Sequence, residues 1–317
     1  MPNVEPGIIL AHKPRGATSF SLVEALKAQT VTDGQIVPIC HGGALDPFAH
    51  GLLLLLVGPA TRLMDELHAI PKRYEAEIVW GAETDTGDAG GRVVTSGDAS
   101  GLTAELLEAR VRDLLGWQDQ IPPMTSNKRV DGERAYLRAH RGETFSLPPS
   151  HVYLHEAAFT THDLPRRSQL SLTCRGGYYV RSLARDLGRA VGCGAHLSEL
   201  RRTEIGPWRD PGPGWRLSNP LSNSVAALSI RGEALLPWLP SRQLTHAEAN
   251  AVELRRAIPR GEIAPPLFGL PDGFPGPGAT EHDRPAPIRG ICDGQLRLLL
   301  RARGNELVLG TDLGGGI

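Results

Sequence analysis

Short apolar runs broken by glycine- and proline-rich turns open the chain. Gly7 to Ala11 reads as a short buried strand that runs into the loop His12 to Ser19. Ser21 and Glu24 form a capping-box pattern ahead of Leu22, Val23, Ala25 and Leu26, which predicts a helix starting at Ser21. Ile36 to Cys40 is a second apolar run, and it leads into a Gly-rich turn, His41 to Pro47. Leu52 to Val57 is continuously apolar and short, as a fully buried strand would be. Thr61 to His68 predicts a helix, with Pro71 just past its end.

Beyond this the pattern turns to alternation. Tyr74, Ala76, Ile78 and Trp80 alternate with Glu75, Glu77 and Val79, a strand with one largely polar face. Thr103 is placed to cap a helix whose apolar positions are Leu106, Leu107, Val111, Leu114 and Leu115, with Gly116 as its stop. Gln118 to Gly142 is irregular and basic and reads as a long loop or hairpin. Val152 to Phe159 and Gln169 to Cys174 read as strands. Val180, Leu183, Ala184, Leu187 and Val191 have helical spacing, ended by Gly192. Strands and helices mix without a strict βαβ rhythm, so the expected class is α+β, a mixed β-sheet with flanking helices.

Pro207 to Pro220 is rich in Pro, Gly and Trp and marks a boundary region. Past about residue 240 the pattern changes. Thr245 to Ala257 predicts a short helix. Ala264 to Pro287 is a Pro/Gly-rich loop too poor in apolar pattern to be core. Leu298 to Arg303 and Glu306 to Leu309 read as strands joined by a tight turn at Gly304-Asn305. The expected organisation is a large domain over 1–235, with a basic insertion at about 118–150, and a small β-rich domain over 236–317.

Composition changes this picture little. Over 317 residues, 40% hydrophobic and 22% charged content support a core of ordinary size. A net charge of -1 gives no global sign of a polyanion partner, so local clustering has to carry that argument. Lys128, Arg129, Arg134, Arg138 and Arg141 stand together against Asp131 and Glu133, which fits a solvated face or a phosphate-binding one. None of the four cysteines forms a C-x-x-C pair, so no zinc knuckle is expected. No apolar stretch reaches the length of a membrane span, and the N-terminus has no basic-then-apolar signal, which points to a cytoplasmic setting.

The sharpest local feature is the turn Gly43-Ala44-Leu45-Asp46-Pro47-Phe48-Ala49-His50-Gly51. It sets one carboxylate on a glycine-rich turn beside a buried apolar run. Local chemistry by itself favours a turn-former over a catalyst at Asp46. The turn resembles the G-x-L-D-P-x-A-x-G signature of TruB-type pseudouridine synthases. Four more stretches resemble that family's motifs in the family's order: Lys13 to Ser19, Lys72-Arg73-Tyr74, Thr84 to Asp88, and Tyr179 to Gly188 running on to Leu197 to Thr203. The resemblance covers about residues 8 to 206.

The resemblance implies an isomerase that converts a uridine in the tRNA T-loop to pseudouridine. It makes Asp46 the essential carboxylate, Tyr74 the ring that stacks on the base, and Arg181 the partner of Asp46. His41 and Tyr179 fall among its substrate contacts, Leu200 in the pocket wall, and Lys13 near the site. The insertion carrying Lys128, Arg129, Arg134, Arg138 and Arg141 lies where the family grips the T-arm, and the tail lies where it has a PUA-like domain. The expected partner is the tRNA T-arm stem-loop, bound by a monomer. The reaction breaks N1–C1′ and makes C5–C1′, so it needs no cofactor and no metal. The carboxylate either attacks C1′ or removes a 2′ proton, and both remain open. Because a uridine in a folded loop is stacked, the base must be flipped out to react.

Three positions depart from the family pattern. Gly42 stands where many relatives carry Thr, Thr125 where an aromatic is common, and Asn127 where Ala is common. Two rival readings fit the residues less well. Asp85-Thr86-Gly87 is the aspartic-protease tripeptide, but no second such element supplies the paired carboxylate. A non-catalytic module that binds the T-arm would have no use for a carboxylate beside phosphates. The presence of Asp46, Tyr74 and Arg181 together therefore favours an enzyme.

Overall fold

The structure, a computed structural model, describes residues 5–30, 37–214, 229–280 and 283–317. The chain begins with β1 (Gly7–Lys13), α1 (Ser19–Thr30), β2 (Ile39–His41) and β3 (His50–Val57). There follow β4 (Lys72–Trp80), β5 (Ala82–Thr84), β6 (Val93–Ser96), α2 (Ala104–Arg112) and β7 (Gly116–Gln120). A small hairpin, β8 (Arg129–Val130) and β9 (Glu133–Arg134), leads into α3 (Ala135–His140). Then come β10 (Ser150–Asp163), β11 (Arg167–Cys174), α4 (Val180–Ala190) and β12 (Ala195–Ile205). The last part holds β13 (Trp208–Arg209), β14 (Ser229–Ile230), β15 (Ser241–Gln243), α5 (His246–Glu253), β16 (Ile258–Pro259), β17 (Ile288–Cys292), β18 (Gln295–Arg303) and β19 (Glu306–Asp312).

The chain divides into two compact units. The first comprises Met1–Pro47, Gly51–Ile70 and Ile205–Ile317, and the second Phe48–His50 and Pro71–Glu204. In the first unit β1 pairs antiparallel with β14 and β3, and β2 pairs with β3. The β3 run is fully buried because its two faces serve two cores. Leu52, Leu54 and Leu56 join Leu10, Leu63, Leu67 and Trp238, whereas Leu53, Leu55 and Val57 join Leu22, Val23 and Leu26 of α1. That is why this strand reads as a continuous apolar run and not as an alternation. A second sheet, in the order β15-β17-β18-β19-β16, forms the β-rich tail. Its α5 opens on a capping box between Thr245 and Glu248.

In the second unit the order is β12-β4-β11-β10-β7. β4 shows the expected alternation, with Lys72, Tyr74, Ala76, Ile78 and Trp80 buried. Thr103 caps α2 by accepting the Leu106 N–H. The helix stops at Arg112, so Leu114 and Leu115 lie past its end, and Gly116 (φ 90°) opens β7.

Several expectations need correction. α1 starts at Ser19, because Thr18 caps it by accepting the Ser21 N–H at 3.0 Å. Thr61 to His68 is not an α-helix but parts of two short 3-10 turns, Gly58–Leu63 and Asp65–Leu67. The 118–142 stretch does contain a hairpin, but it also holds a strand end and the helix α3. The Ala264 to Pro287 loop does reach the core, since Phe268 and Leu270 pack on the first-unit cluster and Phe274 is buried. The boundary region Pro207 to Pro220 and the run from Ile36 lie partly outside the described residues.

Candidate active site

Asp46 belongs to the first unit and sits half-buried on the turn after β2. The backbone on each side of it is pinned. Ser19 Oγ accepts the Leu45 N–H at 2.8 Å and donates to the Leu45 carbonyl at 3.1 Å. The Pro47 carbonyl accepts the Gly16 N–H at 2.7 Å and lies 3.4 Å from Lys13 Nζ. Lys13 is 0% exposed, and its ammonium also donates to the carbonyls of Ala17 (2.7 Å) and Pro14 (3.1 Å). The N-terminal motif is thus a clamp on the Asp46 turn. Lys13, expected near the site, reaches the Asp46 turn through these backbone carbonyls.

Two glycines shape the same turn. Gly43 has φ 120°, a conformation that a side chain rarely adopts. At Gly42 an added Cβ would lie 2.8 Å from Leu67 Cδ1 and 3.1 Å from both Leu54 Cβ and Leu56 Cδ1. His41, half-buried, ends β2 opposite Leu55.

Tyr74, Tyr179, Arg181 and Leu200 belong to the second unit. Tyr74 is 8% exposed on β4, opposite Leu172 of β11. Lys72, two residues earlier on the same face, is buried opposite Cys174. Burial, reinforced by the nearby charge of Arg202, pulls its pKa down to about 7. Burial likewise pushes the Cys174 thiol up to about 12. Leu200 is buried on β12.

Arg181 lies in the first turn of α4 and is 5% exposed. The Thr84 to Asp88 motif forms much of its cradle. Arg181 Nη1 donates to the Thr86 carbonyl at 2.9 Å and lies 3.7 Å from Asp88 Oδ2. Gly87 permits this approach, since a Cβ there would come 3.2 Å from Arg181 Cβ. Thr125 adds a further contact, its Oγ1 accepting from Arg181 Nη1 at 2.6 Å. Neighbouring Arg185 turns away to Asp186 and the Ile121 carbonyl, which relieves the like-charge spacing of the two arginines on α4. Sequence reasoning singled out neither Gln120 nor the contact of Thr125 with Arg181. No pattern signals them, because their partners lie more than fifty residues away.

The five cations of the basic insertion have different surroundings. Arg141 makes a two-bond pair with Glu133 at 2.7 Å and a third bond to Glu143. Arg138 is held by Glu143 at 2.8 Å and Asp131 at 3.1 Å. These carboxylates raise the pKa of both guanidinium groups. Arg138 and Arg141 therefore brace the insertion. Lys128, Arg129 and Arg134 are exposed and form no ion pair among the described residues.

Among the described residues, one group of metal-ligating types converges elsewhere: His246, Cys292 and Asp293, with donor atoms within 4.8 Å of one another. Three donors fall short of the four that a structural zinc takes, and His246 is already paired with Asp293 at 3.1 Å.

Comparison with known proteins decides the kinship. The model of the TruB family pseudouridylate synthase N-terminal domain matches residues 34–180, and that of the tRNA pseudouridylate synthase B C-terminal domain matches 181–213. A tRNA pseudouridine synthase B from an Arthrobacter species is 34% identical over 94% of this chain and 93% of its own length. The chain belongs to the TruB family.

A second relative of the same name, from Thermobifida fusca, is 36% identical over 84% of this chain and 92% of its own. Among solved structures, a chain of a Cbf5-Nop10-Gar1 complex matches 97% of this chain and 84% of its own, with a TM-score of 0.62 and 19% identity. That likeness bears on the fold, and it agrees with a mixed sheet flanked by helices beside a small β-rich part. The family explains why five separated motifs occur in one order. The geometry adds what the N-terminal and Thr84 to Asp88 motifs do here: the former grips the Asp46 turn and the latter grips Arg181. No helix among the described residues is long and apolar enough to cross a membrane.

Proposed function

We propose that this chain converts a uridine in the T-loop of tRNA to pseudouridine, acting as a monomer in the cytoplasm. Relatives that match most of its length carry the name tRNA pseudouridine synthase B. One observation carries the reading at the chemical level: the peptide on both sides of Asp46 is pinned by Ser19, Gly16 and Lys13. A carboxylate that reacts at a ribose has to arrive in one geometry, and a pinned turn supplies it before substrate binds.

In this proposal the target uridine is flipped out of the T-loop and Tyr74 stacks on its base. Asp46 works at the ribose. Arg181 is the partner that orients this carboxylate, as the planar guanidinium fork does for an acid. The N1–C1′ bond breaks, the uracil turns and C5–C1′ forms. C5 loses its proton and N1 gains one, so the exchange balances without an external oxidant or reductant. His41 and Tyr179 contact the opened loop, Leu200 lines the base pocket, and Lys128, Arg129 and Arg134 meet T-arm phosphates.

The test is release of tritium from uridine labelled at C5 in a tRNA T-arm stem-loop. Wild type should release label stoichiometrically with the target uridine. Asp46→Asn keeps the shape and removes the charge, so it should bind the RNA and release none. Release by Asp46→Asn within about tenfold of wild type, a barrier change under about 1.4 kcal/mol, would remove Asp46 from the mechanism.

A further inference from the structure

The root of the basic insertion is stitched to the first turns of α4. Gln120, 2% exposed, uses both ends of its amide on Tyr179: Nε2 donates to the Tyr179 carbonyl at 3.1 Å and Oε1 accepts the Tyr179 N–H at 2.9 Å. The Ile121 carbonyl accepts from Ser182 Oγ at 2.8 Å and from Arg185 Nη2 at 2.9 Å. Thr125 then meets Arg181, with Oγ1 accepting from Nη1 at 2.6 Å and its carbonyl 3.5 Å from Nη2.

From Thr125 the connections run on into the insertion. The Ser126 carbonyl accepts the Tyr136 N–H at 3.1 Å, and the Lys128 carbonyl accepts the Ala135 N–H at 2.7 Å. Both donors lie in the first turn of α3. The exposed cations Lys128, Arg129 and Arg134 lie between Thr125 and that turn in sequence. A displacement of the insertion therefore reaches Thr125 within one or two hydrogen bonds, and Thr125 touches the guanidinium.

We propose that Thr125 is a positioning residue for Arg181. Its hydroxyl holds the guanidinium in its working geometry and passes the seating of the RNA-gripping insertion on to it. The inference rests on the reading that Arg181 serves the reactive carboxylate. The chemistry favours a hydroxyl here. An Arg fork has five N–H donors in a fixed plane, and the plane is oriented by the acceptors that meet it. The Thr86 carbonyl and Asp88 meet Nη1 from the Thr84 to Asp88 turn, whereas Thr125 meets the fork from the insertion root. Removing the hydroxyl leaves the charge in place and releases its orientation from the insertion.

The experiment compares single-turnover rates at saturating tRNA transcript, and tRNA affinity, for wild type, Thr125→Val, Thr125→Ser, Arg181→Lys and the double variant Arg181→Lys with Thr125→Val. Val matches the shape and lacks the acceptor, so the rate should fall about tenfold, with affinity within about twofold. Ser keeps the hydroxyl and should stay within about threefold of wild type. The double variant should be no more than about twofold slower than Arg181→Lys alone, because two residues acting as one unit are not additive. Wild-type rate in Thr125→Val, equal loss in Ser and Val, or fully multiplied losses in the double variant would each overturn the proposal. Wild-type rate in Arg181→Lys would instead overturn the underlying reading of Arg181, and the positioning role with it.

Discussion

The Ser19 hydroxyl holds the Leu45 peptide from both sides, accepting its N–H at 2.8 Å and donating to its carbonyl at 3.1 Å. All of these groups are buried, and Asp46 follows directly. Ser19→Ala strips partners from a buried N–H and carbonyl, which costs about 1–3 kcal/mol. Urea unfolding should show that loss. Turnover should fall about tenfold while RNA affinity holds, because the turn is loosened and not removed. Full turnover in a destabilised Ser19→Ala protein would show that the clamp serves folding alone.

Gly42 provides a test against the family pattern. The family resemblance leads to an expectation of Thr at this point, yet a Cβ here would collide with Leu67 and crowd Leu54 and Leu56. Gly42→Thr should therefore destabilise this chain by about 1–3 kcal/mol, as overpacking of a filled core does. Combining it with Leu67→Ala, which opens space beside the new side chain, should recover part of the loss. Equal unfolding midpoints for wild type and Gly42→Thr would refute the steric account.

The cations of the insertion divide into two groups with different expected behaviour. Lys128, Arg129 and Arg134 changed together to Gln should flatten the salt dependence of tRNA affinity, by about one unit of slope for each phosphate no longer neutralised. Arg138→Gln and Arg141→Gln should leave the slope near wild type, because these side chains are engaged by Asp131, Glu133 and Glu143. Affinity measured at several salt concentrations separates the groups. A flattened slope in the second pair alone would reverse the assignment.

Lys72 gives stability a pH dependence. Its folded pKa is about 7, below the 10.5 of an exposed lysine. From about pH 7 to 10.5 the unfolded chain binds the proton and the folded chain does not. Stability therefore rises with pH across that window by up to about 1.4 kcal/mol per unit, and the penalty is fully present below it. The difference in unfolding free energy between wild type and Lys72→Met isolates this contribution. A difference that stays flat from pH 7 to 9.5 would mean that the buried ammonium is fully compensated.

Wherever a residue's role was set by its near neighbours, the sequence alone determined it. The β3 run was legible because burial on both faces makes every position apolar, and β4 because burial of one face alternates. Asp46, Tyr74 and Arg181 stood out only through motifs, since local chemistry favours a turn for Asp46 and a core ring for Tyr74 and fits a surface charge for Arg181. Tertiary structure alone decided what holds them. Ser19 reaches Leu45 across 26 positions, Thr86 reaches Arg181 across 95, and Thr125 across 56. Tertiary structure also divided five cations that looked alike in sequence, because Arg138 and Arg141 meet acids that the fold of the insertion brings to them. Periodicity records which face of an element is buried. A hydrogen bond between distant residues depends on where two separate elements come to rest, and that placement leaves no repeat in the chain for a local pattern to reveal.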